Sequence, residues 1–329
     1  MLISEIVENL QLTGKSQQDL FQRAREARRN SYNDRAVLRG VIEVTNICRV
    51  NCDYCPMRRD NMKNNDTYIL DNEELILNTV REIKANGINI VFFQGGETNK
   101  TTKLIGEIIP KVRKIYNDDV EILLNLGIKK KEEYEYLFAQ GATSYILKHE
   151  TSNEQIHQKL RHEPLGRRIQ AIEDLLSTGF KVGTGMITGL PDQTVESVAE
   201  DILLAKNLGV HMCSVSPFVP APNTPLSEHL SGDNNIALNA IAIMRLLSPH
   251  WLIPSVSAME KNLEGGQQAG FNAGANVMTI NFTPPVQSDK YLIYGKDRFV
   301  VKTDYAKQTL KSVGLKPCKS IFSMSKSLV

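Results

Sequence analysis

Short apolar runs alternate with amphipathic runs along almost the whole chain, and few folds accept that order. The strand-like runs are 37–44, 88–93, 120–125, 144–148, 181–187, 212–217, 252–256 and 276–281. Between them, 72–85, 103–115, 131–139, 167–177, 195–208, 236–247 and 263–269 repeat apolar residues at helical spacing. Gly87, Gly141, Gly179 and Gly209 each follow a helical run, where a left-handed residue ends a helix before the next strand. Eight strands separated by helices imply a parallel sheet. The fold class expected is α/β, a (β/α)8 TIM-type barrel; an open doubly wound sheet is the alternative.

The chain has 329 residues, a length that such barrels reach as one domain. No repeat, low-complexity tract or Pro/Ser-rich linker divides it, so residues 1–329 read as a single domain. Residues 1–35 form a helical N-terminal extension, with Leu20, Phe21 and Ala24 at helical spacing. Residues 290–329 supply a last helix, near 305–312, and a mobile tail. The net charge of +2 gives no argument for nucleic acid or an anionic membrane as partner. No run is long and apolar enough to span a membrane, and 1–29 lacks the uncharged core of a signal peptide. A cytoplasmic protein is expected.

A barrel places functional residues after the C-terminal ends of its strands, and Cys48, Gly95, Glu150, Gly189 and Pro217 all fall there. Cys48, Cys52 and Cys55 follow the first strand in a CxxxCxxC spacing. Five cysteines, three of them clustered, make a poor disulfide framework and a good metal site. A 4Fe–4S cluster normally takes four thiolates; three leave one iron free to bind a small molecule. Zinc is the competing reading and needs a fourth ligand from a distant histidine. Asn46 and Asn51 can turn the loop, and Arg49, Arg58 and Arg59 surround it with positive charge. Cys213 reads as a buried small hydrophobe and Cys318 as a structural or exposed thiol.

The second motif, Gln94-Gly95-Gly96-Glu97, ends the second strand. Its paired glycines admit close backbone approach, and Glu97 offers an acceptor for an ammonium group. Lys148 is a candidate for Schiff-base chemistry in a plain aldolase-like barrel, but that reading leaves the cysteines unexplained.

Together, the CxxxCxxC loop, the aromatic Tyr54 before its last cysteine, and the GGE motif resemble the radical S-adenosylmethionine superfamily. Segments 38–43, 58–61, 148–151, 189–194, 217–220 and 274–277 are similar to one subgroup, which holds biotin synthase, methylornithine synthase and the diiron-hydrogenase maturase. The maturase pattern matches best, over most of the chain.

The resemblance implies that Cys48, Cys52 and Cys55 hold a 4Fe–4S cluster whose open iron chelates S-adenosylmethionine. It implies that Tyr54 lies near the adenine, and that Gly95, Gly96 and Glu97 receive the methionine amino group. Glu150 and Arg168 would also hold the cosubstrate, Arg168 being preferred to Arg167 by alignment. The implied activity is reductive cleavage to a 5′-deoxyadenosyl radical, which abstracts hydrogen from, or adds to, a small-molecule substrate. A reduced flavodoxin or ferredoxin is the implied electron donor.

Three departures are visible. The strand positions that would hold an auxiliary 2Fe–2S cluster in biotin synthase carry Phe93, Leu123 and Gly183. Cys318 is the one cysteine near the C-terminus. Pro56-Met57 and Gln94-Gly95-Gly96 replace maturase residues near the cofactor. An amino-acid mutase like methylornithine synthase is the alternative activity, and a non-catalytic metal- or cluster-binding protein is the alternative of another class.

Overall fold

The computed structural model describes residues 1–63 and 65–320. Its eight strands are β1 (Arg35–Thr45), β2 (Ile90–Gly95), β3 (Glu121–Asn125), β4 (Ser144–Ile146), β5 (Lys181–Thr188), β6 (Met212–Pro217), β7 (Val277–Asn281) and β8 (Lys316–Cys318). All pairings are parallel, in the order β6-β5-β4-β3-β2-β1-β7, with β8 added to the start of β1.

Segment 252–255 joins the two free edges, β6 and β7. Leu252 donates to the His211 carbonyl and accepts from Cys213. Ser255 donates to the Val277 carbonyl, and Val277 donates to that of Ile253. The ring closes as the expected barrel, but the run 252–256 is not a regular strand. Pro254 has no N–H to give a ladder, and only single bridges form at Leu252 and Pro254.

Strand alternation separates two cores. Val37, Val41, Phe92, Leu123, Met212 and Val277 point into the barrel. Ala36, Leu38, Ile42, Val44, Val91 and Phe93 pack outward against the helices. Phe93 therefore faces the helical layer; the inward neighbours on β2 are Phe92 and Gln94. Cys213 is fully buried in the outer core, as a small hydrophobe is.

Each helical run expected from periodicity forms a helix within a few residues of its bounds, for example Glu73–Ala85, Lys131–Ala139 and Leu165–Thr178. Gly87, Gly141, Gly179 and Gly209 all have positive φ, which an L side chain adopts only with strain. The N-terminal extension forms two helices, Ile3–Leu10 and Gly14–Tyr32. The second packs on Asn234–Leu247, and its buried Arg28 donates to the Phe271 and Ala275 carbonyls.

Some elements were not foreseen, the short helices Ser257–Asn262 and Pro285–Ser288 among them; two bear on the site. Helix Glu154–Arg161 is too short and polar to stand out, but Asn153 caps it by accepting from the Ile156 N–H. Residues 290–320 are more than a tail: 291–301 wall the cavity, Thr303–Ser312 is the expected helix, and β8 pairs at the barrel's base. The expected mobile end falls on 321–329, outside the described residues. No helix among the described residues is long and apolar enough to cross a membrane.

Candidate functional site

A cavity of about 340 Å³ opens at the C-terminal end of the barrel strands and runs into its interior, a size that suits a small organic ligand. Cys48, Cys52, Tyr54, Cys55, Gly95, Gly96, Glu97, Glu150 and Arg168 all line it. These are the nine residues singled out from the sequence, gathered from the loops after β1, β2 and β4 and from helix Leu165–Thr178.

The cysteine loop is tied from within. Asn51 Oδ1 accepts from Arg58 Nε at 3.0 Å and from the Asp60 N–H at 3.2 Å. Arg58 also meets Asp53 at 3.3 Å. Asn46 Nδ2 donates to the carbonyls of Asp66 and Lys290, and its Oδ1 accepts from the Tyr68 N–H. These bonds hold the thiols against the β2 turn. A Cβ on Gly96 would stand 2.2 Å from the Ile47 carbonyl oxygen and 3.0 Å from Cys48 Cβ. Only glycine permits that approach.

The donor set suits a multi-iron cluster. Three thiols line one cavity, and Cys48 and Cys55 both feel Cys52 electrostatically. Among the described residues, no three His, Cys, Asp or Glu side chains gather tightly enough for a single ion. His149 and His157 lie outside the cavity lining, and His162 pairs with Asp53 at 2.9 Å. The zinc reading thus lacks its fourth ligand among them. Burial pushes all three thiols up, so thiolates here need positive charge. Arg161 and Arg168 pull Cys52 back down, and a cationic iron core would do the same.

Behind the thiols lies a charge network of three carboxylates and three guanidiniums. Glu97 contacts Arg49 at 2.5 Å, Arg168 at 3.3 Å and Arg161 at 4.0 Å. Glu150 contacts Arg161 at 3.8 Å and Arg168 at 4.0 Å. Glu163 contacts Arg161 at 3.6 Å. Burial alone would raise the Glu97 carboxyl, but Arg168, Arg161 and Arg49 outweigh it and hold it below its usual range. Arg168 Nε also donates to the Lys148 carbonyl at 2.6 Å. Arg167 is half-exposed and pairs with Glu163 at 3.1 Å, so Arg168 is the one in the cavity. Glu97, read from the sequence as an acceptor for an ammonium group, already has three cationic neighbours.

Arg161 was missed. It is 5% exposed, lines the cavity and donates to the Tyr54 hydroxyl at 2.9 Å. The available signal was its place at the end of the Asn-capped helix that follows the loop bearing Glu150. On the inner side, Glu43 on β1 is held by Arg298 through both oxygens, at 2.5 and 2.7 Å. Arg298 stacks over Tyr291, whose hydroxyl accepts from Gln94. Arg298 also went unseen, because it comes from the segment read as tail.

Two family models match. The radical SAM superfamily covers residues 42–205, and the biotin and thiamin synthesis associated domain covers 214–314. The FeFe-hydrogenase maturase subunit HydE of Thermotoga maritima is 34% identical, over 87% of this chain and 82% of the relative. A 3-methylornithine synthase of Methanosarcina acetivorans is 26% identical, over 79% of this chain and 73% of the relative. The solved structure of methylornithine synthase shares the fold, with a TM-score of 0.83 at 24% identity, covering 96% of this chain and 94% of that one. Kinship at that level with HydE, over most of both chains, settles the lineage: this protein belongs to the radical SAM superfamily, whose enzymes use a 4Fe–4S cluster and S-adenosylmethionine.

Proposed function

We propose that the cavity holds a 4Fe–4S cluster on Cys48, Cys52 and Cys55, with the methionine end of S-adenosylmethionine against the Glu97–Glu150–Arg161–Arg168 network. Such a cluster would supply one electron to the sulfonium, so that the C5′–S bond breaks to give methionine and a 5′-deoxyadenosyl radical that takes hydrogen from, or adds to, a small substrate. The observation that carries the reading is the meeting of three thiols and a charge-balanced network in one cavity. A zwitterion can enter such a network without leaving a charge unpaired: its ammonium takes a carboxylate, and its carboxylate takes a guanidinium. Tyr54 presents a half-buried ring, fixed by Arg161, for the adenine. The barrel wall keeps water from the reacting carbon and holds the substrate close to it.

The substrate end is framed by Glu43, Arg298, Gln94 and Tyr291. We assign a maturase-like role, in keeping with the kinship to HydE. A second reading is rearrangement of an amino acid, as the name 3-methylornithine synthase describes for that relative. It is favoured by the Glu43–Arg298 pair, whose charges can exchange partners with an amino acid's ammonium and carboxylate. Most of β6, segment 252–255 and β7 fall within the second family match yet complete the barrel that the first begins, so we take the chain as one domain. A reduced flavodoxin or ferredoxin in the cytoplasm is the proposed donor.

Anaerobic reconstitution, reduction and assay of 5′-deoxyadenosine test the reading. Cys52→Ala should abolish both cluster assembly and product while the barrel stays folded. Product formed at the normal rate by that variant would refute the ligand assignment.

A further inference from the structure

The Gly189-Leu190-Pro191-Asp192-Gln193-Thr194 turn does not line the cavity, and neither does Asp201 on helix Val195–Asn207. Yet Asp201 is fully buried. Its Oδ1 accepts from the Thr151 hydroxyl at 3.3 Å, the Ser152 hydroxyl at 2.7 Å and the Ser152 N–H. Its Oδ2 accepts from Gln193 Nε2 at 3.1 Å. Gln193 in turn donates to the Ile187 carbonyl and accepts from the Gly189 and Leu190 N–H groups. One carboxylate therefore joins the loop after β4 to the turn after β5.

Each joined segment follows a residue that lines the cavity, Glu150 directly before one and Ile187 two positions before the other. Glu150, directly before Thr151, has φ 67°, a left-handed conformation that a non-glycine residue adopts at a cost. Its neighbours must hold it there. On the other side, Ile187 lines the cavity and clusters with Leu190 and Phe218, against which Tyr54 packs.

We propose that Asp201, acting with Gln193, is a positioning residue for S-adenosylmethionine: it fixes the strained Glu150 turn and the Ile187–Leu190 wall in their binding arrangement. This rests on the cosubstrate placement proposed above. The clamp needs the ionised form, which accepts from four donors at once; a protonated carboxyl must itself donate. Burial raises the Asp201 carboxyl to about 7, against the Ser152 and Thr151 bonds that lower it. The charged or titratable groups that face it are Glu200 on its own helix and Cys213 from β6, the latter also flanked by Lys148. Burial keeps Cys213 a neutral thiol at these pH values.

The test is the dissociation constant for S-adenosylmethionine on cluster-reconstituted protein between pH 6 and 8.5, with melting temperatures alongside. Wild type should bind more weakly as pH falls through about 7. Asp201→Asn should bind about tenfold more weakly at pH 8, by loss of charge-assisted bonds, and its profile should lose the step near pH 7. Its melting temperature should not fall, because the substitution also removes a costly buried charge. Ser152→Ala, which removes only one hydroxyl, should weaken binding by about threefold. Wild-type affinity in both variants, an Asp201→Asn profile that keeps the step, or weaker binding matched by a fall in melting temperature would overturn the clamp. Wild type that fails to bind S-adenosylmethionine at any pH would instead overturn the cosubstrate placement.

Discussion

Arg161→Met tests whether the charge network is a structural unit. Methionine keeps the length of the side chain, so little cavity is left and the charge is the main loss. Arg161 is 5% exposed and stands 3.6–4.0 Å from Glu163, Glu150 and Glu97. Its removal leaves those three carboxylates facing Arg49, Arg168 and, at Glu163, the half-exposed Arg167. Breaking a buried ion pair costs about 3–5 kcal/mol when one charge is left without a partner. Here three cations remain in reach, so about 2–3 kcal/mol is expected, or roughly 5 °C in melting temperature for a chain of this size. The pH dependence gives the sharper readout. Glu97 is held below its usual range, so its ion contacts add stability that is present above the unfolded carboxylate value of about 4.3. That stability is lost as pH falls through the folded value. Without Arg161 the folded value rises and the acid-side loss begins at higher pH. The difference between the proteins should be full at pH 7 and should shrink as pH falls through the lowered folded value of Glu97. Thermal unfolding of cluster-free protein across that range is the assay. Equal melting at pH 7, or a gap that does not shrink anywhere on the acid side, would refute the argument.

Gly96→Ala places a methyl 2.2 Å from the Ile47 carbonyl. Overpacking of this kind costs about 1–3 kcal/mol, and the strain should displace Cys48 enough that reconstitution yields a deficient cluster, measured as iron bound per chain. Arg168→Met should weaken S-adenosylmethionine binding by about 2–5 kcal/mol, through the charges it leaves unpaired, whereas Arg167→Met should leave it near the wild-type value because that side chain is half-exposed on the helix surface. Equal effects of the two substitutions on the dissociation constant would show that burial is not what decides the contact.

The barrel was legible because parallel strands buried on both faces read as unbroken apolar runs, with helical periodicity between them. β1 shows how far this goes: Leu38, Ile42 and Val44 face the helices and Val41 the cavity, so the run stays apolar in sequence. It also shows what the pattern hides, since Arg39 and Glu43 sit in the same run and point inward. Segment 252–256 looked like a strand by composition, but strand pairing is a property of backbone donors, and Pro254 lacks one. β8 was invisible because Lys316 and Pro317 carry no period-2 signal; the pairing depends on β1 having an open edge at Arg35–Val37.

The cysteines and glycines of the site were legible for a local reason. Their chemistry depends on spacing within one loop, and spacing is what a sequence states directly. Charge pairing is different. Glu97, Arg161 and Arg168 lie on separate elements; Glu97 reads as an acceptor beside the glycine pair, but the two arginines each read alone as ordinary surface residues of a helix. Their burial follows from the barrel bringing the ends of β2 and β4 to one mouth, and only then does balance of charge become a constraint. Arg298 makes the same point from the far side: it is distant from Glu43 in sequence, yet the two lock both oxygens and both terminal nitrogens together. A resemblance carries residues across by alignment, so it transferred Glu150 and Arg168. The guanidinium that completes the network had to wait for geometry, because its role is defined by what surrounds it and not by where it falls in the chain.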